Sequence, residues 1–217
     1  METIEYHEKR KRRGALKYRL ERRAKEVLKV VKKYRGPKIT SLLDIGCADG
    51  LMLNLLNQGL AISLSVGIDS SRELLKTNLN PYIKMIQSRA ENLPFRNEEF
   101  EVIIATAVIE HLSQPTKMIK ECYRLLKEGG LLIITTPVPF WDKIARKTGL
   151  LKEKGHQETF SLSVLKALLT SQDFKILKAE KFMFSPVGFP FEEKIEKILK
   201  KSPFNFSLNN QIIVSSK

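Results

Sequence analysis

From residue 39 onward, short apolar runs alternate with stretches whose apolar residues recur every three or four positions. Short runs bounded by turn residues read as buried strands, and the three-and-four pattern reads as helices lying on them. The runs place strands at 41–45, 64–68, 82–87, 101–106, 130–136, 174–184 and 208–215, with helices at 50–58, 71–78, 115–127, 161–172 and 191–201. Ahead of them, residues 15–35 read as one more helix. Its Leu16, Leu20, Ala24, Val27, Val31 and Tyr34 share a face, Lys and Arg fill the other, and Gly36-Pro37 stops it. Five β/α units, then strand, helix and strand, predict an α/β fold with a doubly wound, mostly parallel seven-stranded sheet and an antiparallel C-terminal strand. The stretch Pro137–Thr159, with Phe140, Trp141, His156 and Phe160 in or beside it, is long for a plain connection and reads as a lid or substrate-binding segment.

Composition narrows the setting. A chain of 217 residues, 42% hydrophobic, is large enough for one sizeable core. Two cysteines, Cys47 and Cys122, make no disulfide framework and suit a reducing cytosol, so a cytoplasmic location is expected. The charged start of the chain lacks the apolar centre of a secretory signal, and no apolar stretch reaches the roughly 18–20 residues that span a bilayer. The net charge of +14 is uneven: residues 1–38 hold 15 Lys and Arg against 5 Asp and Glu. Such a segment suits nucleic acid, an anionic membrane surface or an acidic partner, and it equally suits a plain solvated helix face.

The chemistry begins at Leu42-Leu43-Asp44-Ile45-Gly46-Cys47-Ala48-Asp49-Gly50, answered by Val66-Gly67-Ile68-Asp69. An apolar strand ending in small residues two apart is a tight turn into a helix, where the backbone can approach a ligand closely. A second strand ending in Asp69 places a carboxylate where it can accept both hydroxyls of a ribose. The nicotinamide pattern Gly-x-Gly-x-x-Gly fails, because its third glycine position is Leu51. The pattern acidic-x-Gly-x-Gly-x-Gly fits Asp44, Gly46, Ala48 and Gly50 with one Gly-to-Ala change. In that order the motifs resemble the class I S-adenosylmethionine-dependent methyltransferases, of the type 11 group.

The resemblance runs on through Ala90-Glu91-Asn92-Leu93-Pro94-Phe95 and Phe100-Glu101-Val102-Ile103. It continues in Ala107-Val108-Ile109-Glu110-His111-Leu112, in residues 121–134 with their Gly129-Gly130 turn, and in Gly155-His156-Gln157-Glu158-Thr159-Phe160-Ser161. It implies a methyltransferase domain over 39–217, with 1–38 a basic segment and amphipathic helix packed on that core. It implies S-adenosyl-L-methionine as cofactor. Gly46, Cys47, Ala48 and Gly50 would line its methionine part, with Asp44 orienting the ammonium. Asp69, with Ser70 adjacent, would take the ribose, Ala90 and Glu91 would border the adenine, and Thr106 and Ala107 would sit near the sulfonium. Arg89 departs from the acidic residue many relatives carry before the Ala-Glu pair. Ala48 departs from Gly, which is acceptable where its φ is negative.

Methyl transfer is an in-line displacement in which alignment alone supplies about 7–11 kcal/mol. Where the acceptor must lose a proton, His111 and His156 are the candidate bases. Each has a structural alternative, capping for His111 and loop anchoring for His156. Three scattered His and two separated Cys offer no metal-ligand spacing, so no metal is expected. The acceptor is expected to be a small or lipid-like molecule. Residues 106–109 are Thr-Ala-Val-Ile, which is not the Asn/Asp-Pro-Pro-aromatic motif of base-amine methylation, so nucleic acid is not favoured. An RNA-modifying enzyme using the basic N-terminus and a non-catalytic cofactor-binding regulator are the alternatives. Peripheral membrane contact and oligomeric state are left open by the sequence.

Overall fold

The computed structural model describes residues 14–139 and 159–217. Helix α1 (Gly14–Tyr34) leads into strand β1 (Lys38–Ile45), α2 (Leu51–Gly59), β2 (Ala61–Asp69), α3 (Arg72–Leu75), β3 (Ile83–Gln87) and β4 (Phe100–Thr106). A 3-10 turn, Ile109–His111, precedes α4 (Pro115–Leu125) and β5 (Leu126–Pro137). Then come α5 (Leu162–Thr170), β6 (Lys175–Phe182), α6 (Glu192–Lys200), a 3-10 turn at Pro203–Ser207 and β7 (Asn210–Ser216). The strands form one sheet in the order β3-β2-β1-β4-β5-β7-β6, parallel except for β7, which is antiparallel to both its neighbours.

The central strands are apolar at consecutive positions because both faces are covered. Leu42, Ile104 and Ile133 turn to the layer made by α1 and α2, while Leu43, Ile103 and Ile134 turn to the layer made by α4 and α5. Leu20, Ala24, Val27 and Val31 of α1 are buried in the first layer, as their spacing predicts. The expectation that Lys and Arg fill the opposite face of α1 needs correction, because Arg22 and Glu26 are buried. Arg35, just past the end of α1, clips it to the sheet by bonding Glu101 at 2.9 Å through Nε.

Element ends differ from the sequence pattern where side chains compete for the backbone. Helix α3 stops at Leu75 rather than residue 78. There the Thr77 hydroxyl donates to the Leu74 carbonyl at 2.7 Å, and the Asn78 side chain accepts from the Asn80 amide at 2.7 Å. Helix α4 gives way at Leu126, which pairs with Phe100 in the sheet.

Chain order reverses at β1, with β2 on one side and β4 on the other, so the crevice beyond the ends of β1 and β4 is the switch point where ligands bind in open α/β sheets. Registers put Ile45, Asp69, Thr106, Pro137 and Phe182 at this same end of the sheet.

Candidate active site at the ends of β1, β2 and β4

The turn after β1 is held by its neighbour strand. The amides of Gly46 and Cys47 both donate to the Ile68 carbonyl at 2.9 Å, and the Gly50 amide closes the turn on the Cys47 carbonyl at 2.9 Å. Gly46 (φ +71°) must be glycine, since a Cβ there would lie 2.3 Å from Val108 Cγ2. Gly50 (φ +74°) caps α2, and its Cβ would fall 2.0 Å from Asn78 Nδ2. The first intrahelical bond of α2 runs from the Asn54 amide to the Gly50 carbonyl, so the first-turn amides of Leu51, Met52 and Leu53 precede it.

The condition under which Ala48 would replace glycine without strain, a negative φ, is not met. The Ala48 φ is +52°, a left-handed conformation that costs a non-glycine residue about 1–2 kcal/mol. What holds it there is Asp69. One carboxylate oxygen accepts the Ala48 amide and the other the Ser71 amide, each at 2.9 Å. The carboxylate therefore joins the two loops, and the second lone pair of each oxygen remains for further donors. Asp69 is half-buried and Ser70 exposed.

Three carboxylates surround the turn. Asp44 and Asp49 are buried beside it, and both lie within electrostatic range of the Cys47 thiol together with Asp69. Burial first, and then Asp44 and the other carboxylates, push that thiol well above its ordinary value. Cys47 also packs under the turn, with Sγ 2.7 Å from where a Gly67 Cβ would be, so its backbone rather than its side chain borders the crevice. The turn thus offers close backbone approach, a half-buried carboxylate and a negative field, which suit a ligand carrying an ammonium, a sulfonium and a ribose. S-adenosylmethionine carries all three.

The loop after β3 forms another wall. Ala90 and Glu91 are partly buried, and Arg89 turns outward to pair with Glu91 at 3.7 Å. The loop is held by α4: the Leu93 amide donates to Glu121 at 2.8 Å, while Arg124 donates to the carbonyls of Phe95 at 2.8 Å and Leu93 at 3.2 Å. The hydrogen bond from Arg124 leads the effects that hold the Glu121 carboxyl below the usual range. This clamp escaped sequence reading. The three-residue spacing of Glu121 and Arg124 shows that they pair, and only the fold shows which loop they grip.

Past β4, Thr106 is partly buried and Ala107 turns left-handed at φ +55°. The chain then bends so that Val108 closes on Gly46. Glu110 is buried and accepts from the Thr136 hydroxyl at 3.0 Å, and His111 is exposed at the rim. The other candidate base, His156, lies outside the described residues, as do Phe140 and Trp141.

Comparison with known proteins agrees with this geometry. The methyltransferase-domain family matches residues 8–179. An uncharacterised protein of Methanocaldococcus jannaschii is 28% identical over 169 residues, covering 75% of each chain. The mitochondrial ubiquinone biosynthesis O-methyltransferase of Rattus norvegicus is 37% identical over 105 residues, covering 44% of this chain and 30% of the rat protein. Among solved structures, an S-adenosylmethionine-dependent methyltransferase from Thermotoga maritima superposes with a TM-score of 0.71 at 20% identity, over 99% of this chain and 95% of that one. The chain belongs to the methyltransferase-domain family and is a class I S-adenosylmethionine-dependent methyltransferase.

Proposed function

We propose that this enzyme methylates a small or lipid-like acceptor presented at the ends of β4 and β5. The observation that carries the reading is the apolar composition of that side of the crevice. Val138 and Phe160 are buried beside Gln211, whose amide donates to the Pro137 and Phe160 carbonyls. An apolar wall suits the hydrocarbon part of an acceptor and is poorly suited to a phosphate backbone. The relative named for ubiquinone biosynthesis is compatible with this class.

When bound, the cofactor supplies a methyl group on a sulfonium. The proposed roles of this chain's residues follow from their placement. Asp69 would accept the ribose hydroxyls on the lone pairs that Ala48 and Ser71 leave, with Ser70 alongside. Asp44, Gly46, Cys47, Ala48 and Gly50 would border the methionine part, Ala90 and Glu91 the adenine, and Thr106 and Ala107 the reacting centre. His111 would take the acceptor's proton, and His156 is assigned the same role on sequence grounds alone. The 1–38 and 39–217 division is likewise a proposal.

Two measurements test the reading. Asp69→Ala is expected to weaken S-adenosylmethionine binding about a hundredfold by calorimetry, since two charged hydrogen bonds and the loop bridge are lost. Unchanged affinity refutes the assignment of Asp69. Incubation with methyl-labelled cofactor and separated cell extract should then put label in the organic or small-molecule fraction. Label in precipitated RNA would favour the nucleic-acid reading and its basic N-terminal segment.

A further inference from the structure

Helix α6 is built inside out. Its acidic Glu192 and Glu196 are buried, while Phe191 (71% exposed), Ile195 and Ile198 (69%) form a stripe open to solvent. The orientation is enforced from within. Tyr18 of α1 hydrogen-bonds Glu192, which also accepts the Ser185 amide at 2.8 Å. Arg22, four residues on, bonds Glu196 at 2.6 Å, and Glu196 further accepts the Met183 amide at 2.9 Å and pairs with Lys200 at 2.9 Å. Two acidic residues one turn apart thus meet Tyr18 and Arg22 one turn apart on α1. The apolar stripe has to face outward.

The surroundings extend that face. Val187 and Phe189 lie just before the helix, and Phe204 (60%) and Phe206 just after it, all exposed. Lys194, Lys197 and Lys201 line one flank of the stripe and are exposed, with the Lys194 ammonium 5.4 Å from the Phe191 ring centroid. On the helix itself Glu192 and Glu196 are buried, and the exposed Glu193 is paired with Lys25. A second copy of this chain would set these lysines against each other, so charge complementarity selects an anionic partner. Aromatic and aliphatic side chains flanked by lysines are the composition of a segment lying in the headgroup–acyl boundary of a bilayer.

We propose that the outward face of α6, with Phe189, Phe204 and Phe206, docks this enzyme on an anionic lipid bilayer. Phe182 precedes this region at the same end of the sheet as the Gly46–Gly50 turn, so docking would bring the crevice mouth toward the membrane. The inference goes beyond the acceptor assignment and stands without it, since bilayer binding is measured without methyl transfer.

The test is flotation of the full-length protein with large unilamellar vesicles. Binding to phosphatidylcholine with one quarter phosphatidylglycerol is expected to exceed binding to pure phosphatidylcholine at least about tenfold, because each basic residue near an anionic surface adds about fivefold. The double variant Ile195→Ser, Ile198→Ser removes apolar surface without touching the buried pins, and should lower binding about tenfold with an unchanged circular dichroism spectrum. Leu79→Ser, at a still more exposed residue (91%) by β3 at the opposite edge of the sheet, should bind like wild type. Wild type that floats with neither vesicle overturns the proposal. So does a double variant that binds as well as wild type, or one that changes only the sedimentation mass, the mark of a contact between copies.

Discussion

Helices α4 and α6 are of similar length and both amphipathic, yet they lie in the molecule in opposite senses. α4 turns Met118, Ile119, Cys122 and Leu125 to the sheet and leaves Lys117 and Lys120 outside. α6 turns Glu192 and Glu196 inward and leaves Ile195 and Ile198 outside. The pattern on each helix says which residues share a face. Which way that face turns is decided by the surface it meets. α4 meets an apolar sheet, so burial of its stripe leads. α6 meets Tyr18 and Arg22, so its carboxylates go inside, where several hydrogen bonds and ion pairs offset their desolvation.

The largest effect should come from breaking the charged side of that contrast. Arg22→Ala leaves Glu26 buried without its cation and Glu196 with Lys200 alone, and should lower unfolding free energy by about 3–5 kcal/mol in denaturant melts. On the apolar side, Ile119→Ala should cost about 2–5 kcal/mol by opening a cavity under α4.

Acid should separate the two regions next. Burial alone would raise the Glu196 carboxyl, but Lys200 and Arg22 outweigh it and hold the group below the ordinary carboxylate range. A carboxylate depressed in the folded state contributes stability above its unfolded pKa of about 4.3, and that stability is lost as pH falls through the lower folded value. Melting temperature should therefore drop below about pH 4, and the gap between wild type and Glu196→Gln should narrow there. A gap that stays constant with pH would mean that the Glu196 charge contributes nothing.

Smaller effects mark the turn and the outer face. Ala48→Gly keeps the amide that Asp69 holds and relieves the left-handed strain. It should raise stability by about 0.5–1 kcal/mol after the added chain entropy of glycine is subtracted. Ile195→Ala should change stability by less than about 0.5 kcal/mol, the counterpart of the loss under α4. A loss as large as that of Ile119→Ala would show that α6 packs on something its outer face does not meet here.

The Gly46–Gly50 turn was legible from the chain because its requirements are local. A strand that must turn sharply needs small residues at fixed steps, and the structure explains Gly46 by Val108 and Gly50 by Asn78. Local logic failed to decide the φ of Ala48, which the sequence leaves conditional and which Asp69 holds positive from 21 residues away. It failed again at Arg22 and Glu26, which look like solvated charges on a basic helix until α6 arrives from 174 residues away to bury them.

The sequence by itself determined the seven strands, most helices and the order of the cofactor motifs, since hydrophobic period and turn chemistry act over a few residues. Tertiary structure alone decided that Asp69 bridges two loops, that Glu121 and Arg124 grip residues 93–97, and that α6 shows its apolar face to solvent. Those outcomes depend on charges and amides far apart in the chain. Their energies exist only once the sheet has brought them within hydrogen-bonding distance.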